Sequence, residues 1–144
     1  MSLSPRSVRE AEHLERLVLP SPNGASSSAS LVGAERAVIG ACLRNRRAAA
    51  ALVARRLLTD PTASVLLVSC WRALARRLAP VSEEASAAAA AYRLVEARLG
   101  EALVSCSSGR ELADGGYAVD AANAAELDES GSVPRLGDGA FVAQ

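Results

Sequence analysis

Three short apolar runs, each followed by a stretch of helical pattern, constrain this chain more than any other feature. They are Leu17-Val18-Leu19, Ala37-Val38-Ile39-Gly40 and Ser64-Val65-Leu66-Leu67-Val68-Ser69. Runs of this length read as buried strands, and their alternation with helices predicts parallel pairing through right-handed crossovers. Aromatic residues make up only 3% of the chain and alanine much of its apolar half, so the core is expected to be Ala, Leu and Val, as helices lying closely on a sheet allow. The expected fold class is therefore α/β: a mostly parallel sheet containing the segments near Leu17, Val38 and Leu66, with Ala-rich helices on its faces in α/β/α layers. A chain of 144 residues suits one such domain, spanning 1–144.

The helices are predicted from local signals. Arg46 to Leu58 is rich in Ala, Leu and Arg, and Asp60-Pro61-Thr62 ends it. Trp71 to Leu78 has a helical pattern that Pro80 breaks. Ser82 is a plausible cap for a long helix with Glu83 and Glu84 in its first turn and an apolar stripe through Ala85, Ala88, Ala89, Tyr92, Val95, Leu99 and Leu103. Ser105 to Leu112 reads as a polar turn and a short helix closed by Gly115-Gly116, Ala118 to Leu127 as further helix, and Val133 to Val142 as two extended pieces about a turn.

Charge and cysteine content exclude several classes. All 16 basic side chains are arginines and are balanced by 16 acidic ones, so nothing tips the chain toward nucleic acid. Cys42, Cys70 and Cys106 form no CxxC pair, which suits reduced thiols in a cytoplasm. Glu10, Glu12 and Glu15 stand where a signal peptide needs a basic start, and the longest apolar stretch, Ala48 to Ala54, is too short to span a bilayer; secretion and a membrane partner are not expected. No Walker-type loop, GxSxG elbow or histidine pair is present, and the single histidine, His13, reads as a surface residue.

In an open parallel sheet, ligands collect outside the C-terminal ends of the strands. The groups expected there are Ser21, Asn23 and Gly24 after the first strand and Arg44 with Asn45 after the second. A helix beginning beside Asn23-Gly24 would point free N–H groups and the positive end of its dipole at an anion. The same residues also read as a plain turn, with Arg44 solvated and Asn45 a helix cap.

Read in order, Ser4-Pro5, Arg16 to Gly24, Gly40-Ala41-Cys42-Leu43-Arg44-Asn45, Ser105 to Leu112 with Gly116 and Asp120, Ala125 to Asp128 and Val133-Pro134 resemble the 2-phosphosulfolactate phosphatase family of coenzyme M biosynthesis. The resemblance implies an α/β hydrolase that uses Mg²⁺ to release phosphate from (R)-2-phospho-3-sulfolactate, a small phosphorylated organic acid. It carries Arg44 and Asp120 over as catalytic positions, and Ser21, Asn23, Gly24, Asn45, Ser108, Gly109 and Arg110 as substrate-binding ones; it places no metal ligand. Departures from the family pattern accompany it. The family's N-terminal strand and its Gly-Glu-Arg loop have no counterpart before Met1, and Cys70-Trp71 leads almost directly to Pro80, without the family's Gly-Glu-Arg loop, Glu-Asp dipeptide and Gly-Ala-Gly turn. Ser108 stands where many relatives have His. A chain shortened in this way also reads as a non-catalytic remnant that keeps an anion-binding loop or a subunit-association role, and its homo-oligomeric state is left open by the sequence.

Overall fold

The structure, a computed structural model, describes residues 4–11, 17–18, 22–31, 36–66, 77–78 and 83–143. The described residues are mostly helical. The helices are α1 (Pro5–Arg9), α2 (Pro22–Leu31), α3 (Arg46–Thr59), α4 (Glu83–Val95), α5 (Leu99–Ser105), α6 (Ser107–Asp114) and α7 (Ala118–Ala125). Single 3₁₀ turns at Leu43–Asn45 and Glu96–Arg98 lead into α3 and α5. The strands are β1 (Val65–Leu66), β2 (Arg77–Leu78), β3 (Arg135–Gly137) and β4 (Ala140–Val142). The chain divides into two compact units, one made of 1–19 and 87–127, the other of 20–86 and 128–144.

The parallel, layered α/β/α expectation is overturned. Among the described residues the strands form two two-stranded ladders, β1 with β2 and β3 with β4, both antiparallel. Val65 and Leu66 find their partners in Leu78 and Arg77, a short distance along the chain, and no helical crossover is needed. Ile39 makes an isolated antiparallel bridge to Arg135, flanked by Gly40 N–H to Pro134 C=O at 2.8 Å and Leu136 N–H to Val38 C=O at 2.9 Å. Leu17 and Val18 are exposed and belong to no strand, Val18 at 80%. The three runs expected in one sheet thus do not share one: an apolar run announces an extended segment, while its partner is decided elsewhere in the chain. Two helix readings are corrected too. Pro22-Asn23-Gly24 is the first turn of α2, with Pro22 at the position its fixed φ and missing N–H suit, and Arg77 and Leu78 lie in β2. Residues 71–76 and Leu19 lie outside the described residues.

In the first unit α5, α6 and α7 pack against one another and α1 lies on α7. Leu99 and Ala121 are its buried apolar side chains among the described residues. The one long helix expected to carry the apolar stripe is interrupted by the 3₁₀ turn Glu96–Arg98 and becomes α4 and α5; along them Ala89, Tyr92, Val95 and Leu103 are half-buried and Leu99 is buried, while Ala88 is exposed. Gly109 is buried where α6 leaves α5, and a Cβ there would collide with the Leu103 carbonyl oxygen. The predicted glycine stop is a full Schellman motif: Gly116 takes φ +84°, its N–H reaches Ala113 C=O at 3.0 Å, and Tyr117 N–H reaches Leu112 C=O at 2.7 Å.

In the second unit α3 runs one residue beyond its predicted end, and buried Ala49 and Val133 form its small core. β3 and β4 are the two extended pieces expected about a turn, and they pair as an antiparallel hairpin. Asp138 and Gly139 both have positive φ, +49° and +78°, the type I′ turn that Asp-Gly favours. Among the described residues no helix is long and apolar enough to cross a membrane.

Candidate functional site

The residues singled out for chemistry fall into two clusters, one in each unit. In the second unit the 3₁₀ turn Leu43–Asn45 brings Asn45 to a position 5% exposed. Its Oδ1 accepts the Cys42 N–H at 2.8 Å, and its Nδ2 donates to Gly40 C=O at 3.2 Å and Ser132 C=O at 3.0 Å. Both amide hydrogens and the carbonyl are thereby used, and the side chain ties the 40–45 turn to the segment before β3. Asn45 precedes α3, yet its side chain does not cap that helix.

The cap comes from Asp128, whose left-handed backbone (φ +57°) turns its carboxylate to the start of α3. Asp128 Oδ1 accepts the Arg47 N–H at 2.9 Å, while Oδ2 lies 2.9 Å from Arg46 Nε and 3.2 Å from Arg47 Nε. Two backbone bonds set the register: Asp128 N–H to Leu43 C=O at 3.1 Å and Ser130 N–H to Arg44 C=O at 2.8 Å. Desolvation raises the Asp128 pKa, but the Arg46 hydrogen bond, the Arg47 N–H and the two guanidinium charges outweigh it and hold the carboxyl below the ordinary aspartate value. Arg44 is half-buried in this turn, with its Nη1 shielded from solvent. Ala48, Ala51, Leu52 and Arg55 on one face of α3 join Gly131 and Val133 around a shallow groove of about 350 Å³.

The first unit holds Asp120, Ser108, Gly109 and Arg110. Asp120 stands in the first turn of α7, 6% exposed, and its Oδ1 accepts the Arg6 N–H at the start of α1 at 3.0 Å. One carboxylate therefore faces the positive ends of two helices. One turn further along α7 and at its C-cap, Arg9 Nη1 donates to Asn123 Oδ1 at 2.6 Å, and Nη1 and Nη2 fork onto the two Glu126 oxygens at 3.0 Å each. Arg110 folds its guanidinium back onto the Ser105 carbonyl at the end of α5. Cys106 Sγ accepts the Gly109 N–H at 3.4 Å as the cap of α6 and donates to Leu103 C=O at 3.1 Å. Ser108 is exposed in the first turn of α6.

The structure thus brings Arg44 and Asn45 together in one unit, and Asp120, Ser108, Gly109 and Arg110 together in the other. Asn23 and Gly24 lie inside α2, and Ser21 lies outside the described residues. Asp120 and Asn45 make structural ties, and Gly109 is required by close packing. Mg²⁺ needs several converging oxygen ligands. One Asp120 oxygen already serves a backbone N–H, and among the described residues no three His, Cys, Asp or Glu side chains converge. Sequence reasoning missed the Arg9 fork and the capping role of Asp128. The latter leaves one local trace, an acid-free first turn at Arg46-Arg47 that needs a carboxylate from elsewhere. No family model, curated protein or solved structure matches this chain.

Proposed function

We propose that this chain is a non-catalytic association module, with apolar surface that a partner subunit covers. The observation that supports this reading is the distribution of apolar side chains. Ala49, Leu99, Ala121 and Val133 are the buried ones among the described residues, while Leu58, Leu94 and Val142 stand 86%, 81% and 60% exposed. Burying one such large side chain is worth about 1.5–3 kcal/mol, a gain that association would realise. The cytoplasm is the proposed compartment, supported by the free thiols of Cys42 and Cys106.

Hydrolysis of (R)-2-phospho-3-sulfolactate with Mg²⁺ rests on the resemblance alone. Two measurements on the purified chain test the proposal: sedimentation equilibrium over a wide concentration range, and phosphate release from 2-phosphosulfolactate with Mg²⁺ or EDTA. The expected result is a mass above the monomer and release equal in both conditions. A monomer at every concentration, or release that EDTA abolishes, overturns it.

A further inference from the structure

We propose that the outer edge of β4 is a self-pairing edge, on which β4 of a second copy adds antiparallel about a two-fold axis through Phe141. The inference rests on the association role above and names its surface.

Strand parity supplies the first argument. The Leu136 N–H points away from β4, to the Val38 carbonyl at 2.9 Å, so the Leu136–Phe141 pair is one of the non-hydrogen-bonded pairs of the hairpin. The N–H and C=O of Phe141 therefore point outward, away from β3. Among the described residues no backbone group occupies that edge. A residue that presents both groups on an open edge can meet its own copy across a two-fold axis, each N–H donating to the other's C=O.

The second argument is chemical. Natural edge strands are commonly guarded by charge, proline or a bulge. Ala140-Phe141-Val142-Ala143 has no charge and no proline, β4 is exposed along its whole length, and Phe141 and Val142 stand 47% and 60% exposed. A paired copy would place Phe141 beside Phe141 on one face and Ala140 opposite Val142 on the other.

Charge complementarity selects a second copy as the occupant. Exposed Asp138 sits at the turn end of the hairpin and exposed Arg135, opposite Val142, at its open end. Antiparallel addition sets each Asp138 end beside the Arg135 end of the other copy. An in-register parallel arrangement would instead align like charges.

Phe141→Pro tests this directly, because that N–H takes no part in the β3–β4 ladder and proline is tolerated on an edge whose N–H faces outward. In sedimentation equilibrium the natural chain is expected to dimerise. Phe141→Pro should weaken the dimer by about tenfold or more, since both axial hydrogen bonds are lost. Amide-exchange protection at Ala140 and Val142 should persist, showing that the hairpin survives. Arg135→Glu should weaken the dimer as well, and added salt should reduce that difference. In an independent readout, Phe141→Cys should form an intermolecular disulfide, since hydrogen-bonded partners lie about 5.5 Å apart at Cα, within disulfide range. Ala140→Cys, whose counterpart is two positions displaced, should not. A dimer that survives Phe141→Pro, with no selective Phe141→Cys bond, overturns the edge pairing and leaves the association role standing; a natural chain that stays monomeric overturns both.

Discussion

Asp128 meets Arg47 twice: its Oδ1 accepts the Arg47 backbone N–H at 2.9 Å, and its Oδ2 lies 3.2 Å from the Arg47 Nε. The carboxylate thus caps a helix that begins 82 positions earlier in the chain, at Arg46, whose Nε it also binds. Asp120 holds the Arg6 N–H in the same way. In both units an aspartate from the C-terminal third of the chain takes the N–H of the second residue of a helix that begins in its N-terminal third.

The Asp128 contact gives a pH dependence of definite sign. Its native pKa lies below its unfolded value, so its contribution is fully present above the ordinary aspartate pKa of about 3.9 and is lost as pH falls through the depressed native value. Asp128→Asn is expected to lower the melting temperature at pH 7 and to leave less of a difference from the natural chain as acid is added. Thermal melts by circular dichroism between pH 7 and pH 2 check this, and a constant difference across that range would contradict it.

Asn45→Ala should be among the costlier single changes in the second unit. It leaves the Cys42 N–H and the Gly40 and Ser132 carbonyls without their partner, at about 1–3 kcal/mol for an unsatisfied buried group. Asn45→Asp restores the acceptor and sets a carboxylate against two carbonyls, so it should not rescue stability. Urea unfolding of both variants measures the difference.

Two glycines separate two kinds of demand. Gly116→Ala should cost about 1–2 kcal/mol, the strain of a left-handed alanine, because the space around it is open. Gly109→Ala should be worse, since its methyl would meet the Leu103 and Val104 carbonyls, and those belong to backbone that cannot swing aside. Equal losses in denaturant unfolding would argue that α5 and α6 separate freely.

Arg9→Lys tests the fork on α7. Lysine keeps the charge and loses the bidentate geometry on Glu126 together with the Asn123 bond. The ion pair is half-exposed, so a loss of only about 1 kcal/mol is expected, mostly from the Asn123 bond. If salt removes the whole difference, the pair charge and not the amide bond is responsible.

What was legible in the sequence was local. The Arg46–Thr59 helix, the Gly115-Gly116 stop, the 118–125 helix and the Asp-Gly hairpin each follow from residues within a few positions of one another. The sheet was not legible, because Val38 and Leu66 look alike as apolar strand residues while one segment pairs with 134–136 and the other with 77–78. The candidate site residues show a related ambiguity. Asp120, Asn45 and Gly109 have the residue types that bind anions, and those same types satisfy helix ends, turns and close crossings. Only their partners tell the uses apart, and the partners are as remote as Arg6 and Ser132.

That remoteness sets a timetable for biosynthesis. Arg6 leaves the ribosome 114 positions ahead of the aspartate that holds its N–H, an interval on the order of ten seconds at about 5–20 residues per second. Through that interval α1 has no anchor on α7, and Arg46 and Arg47 likewise wait for Asp128. Nascent chains halted before residue 120 should therefore be open to protease in both halves, and the two closures should follow one another within a few residues of translation.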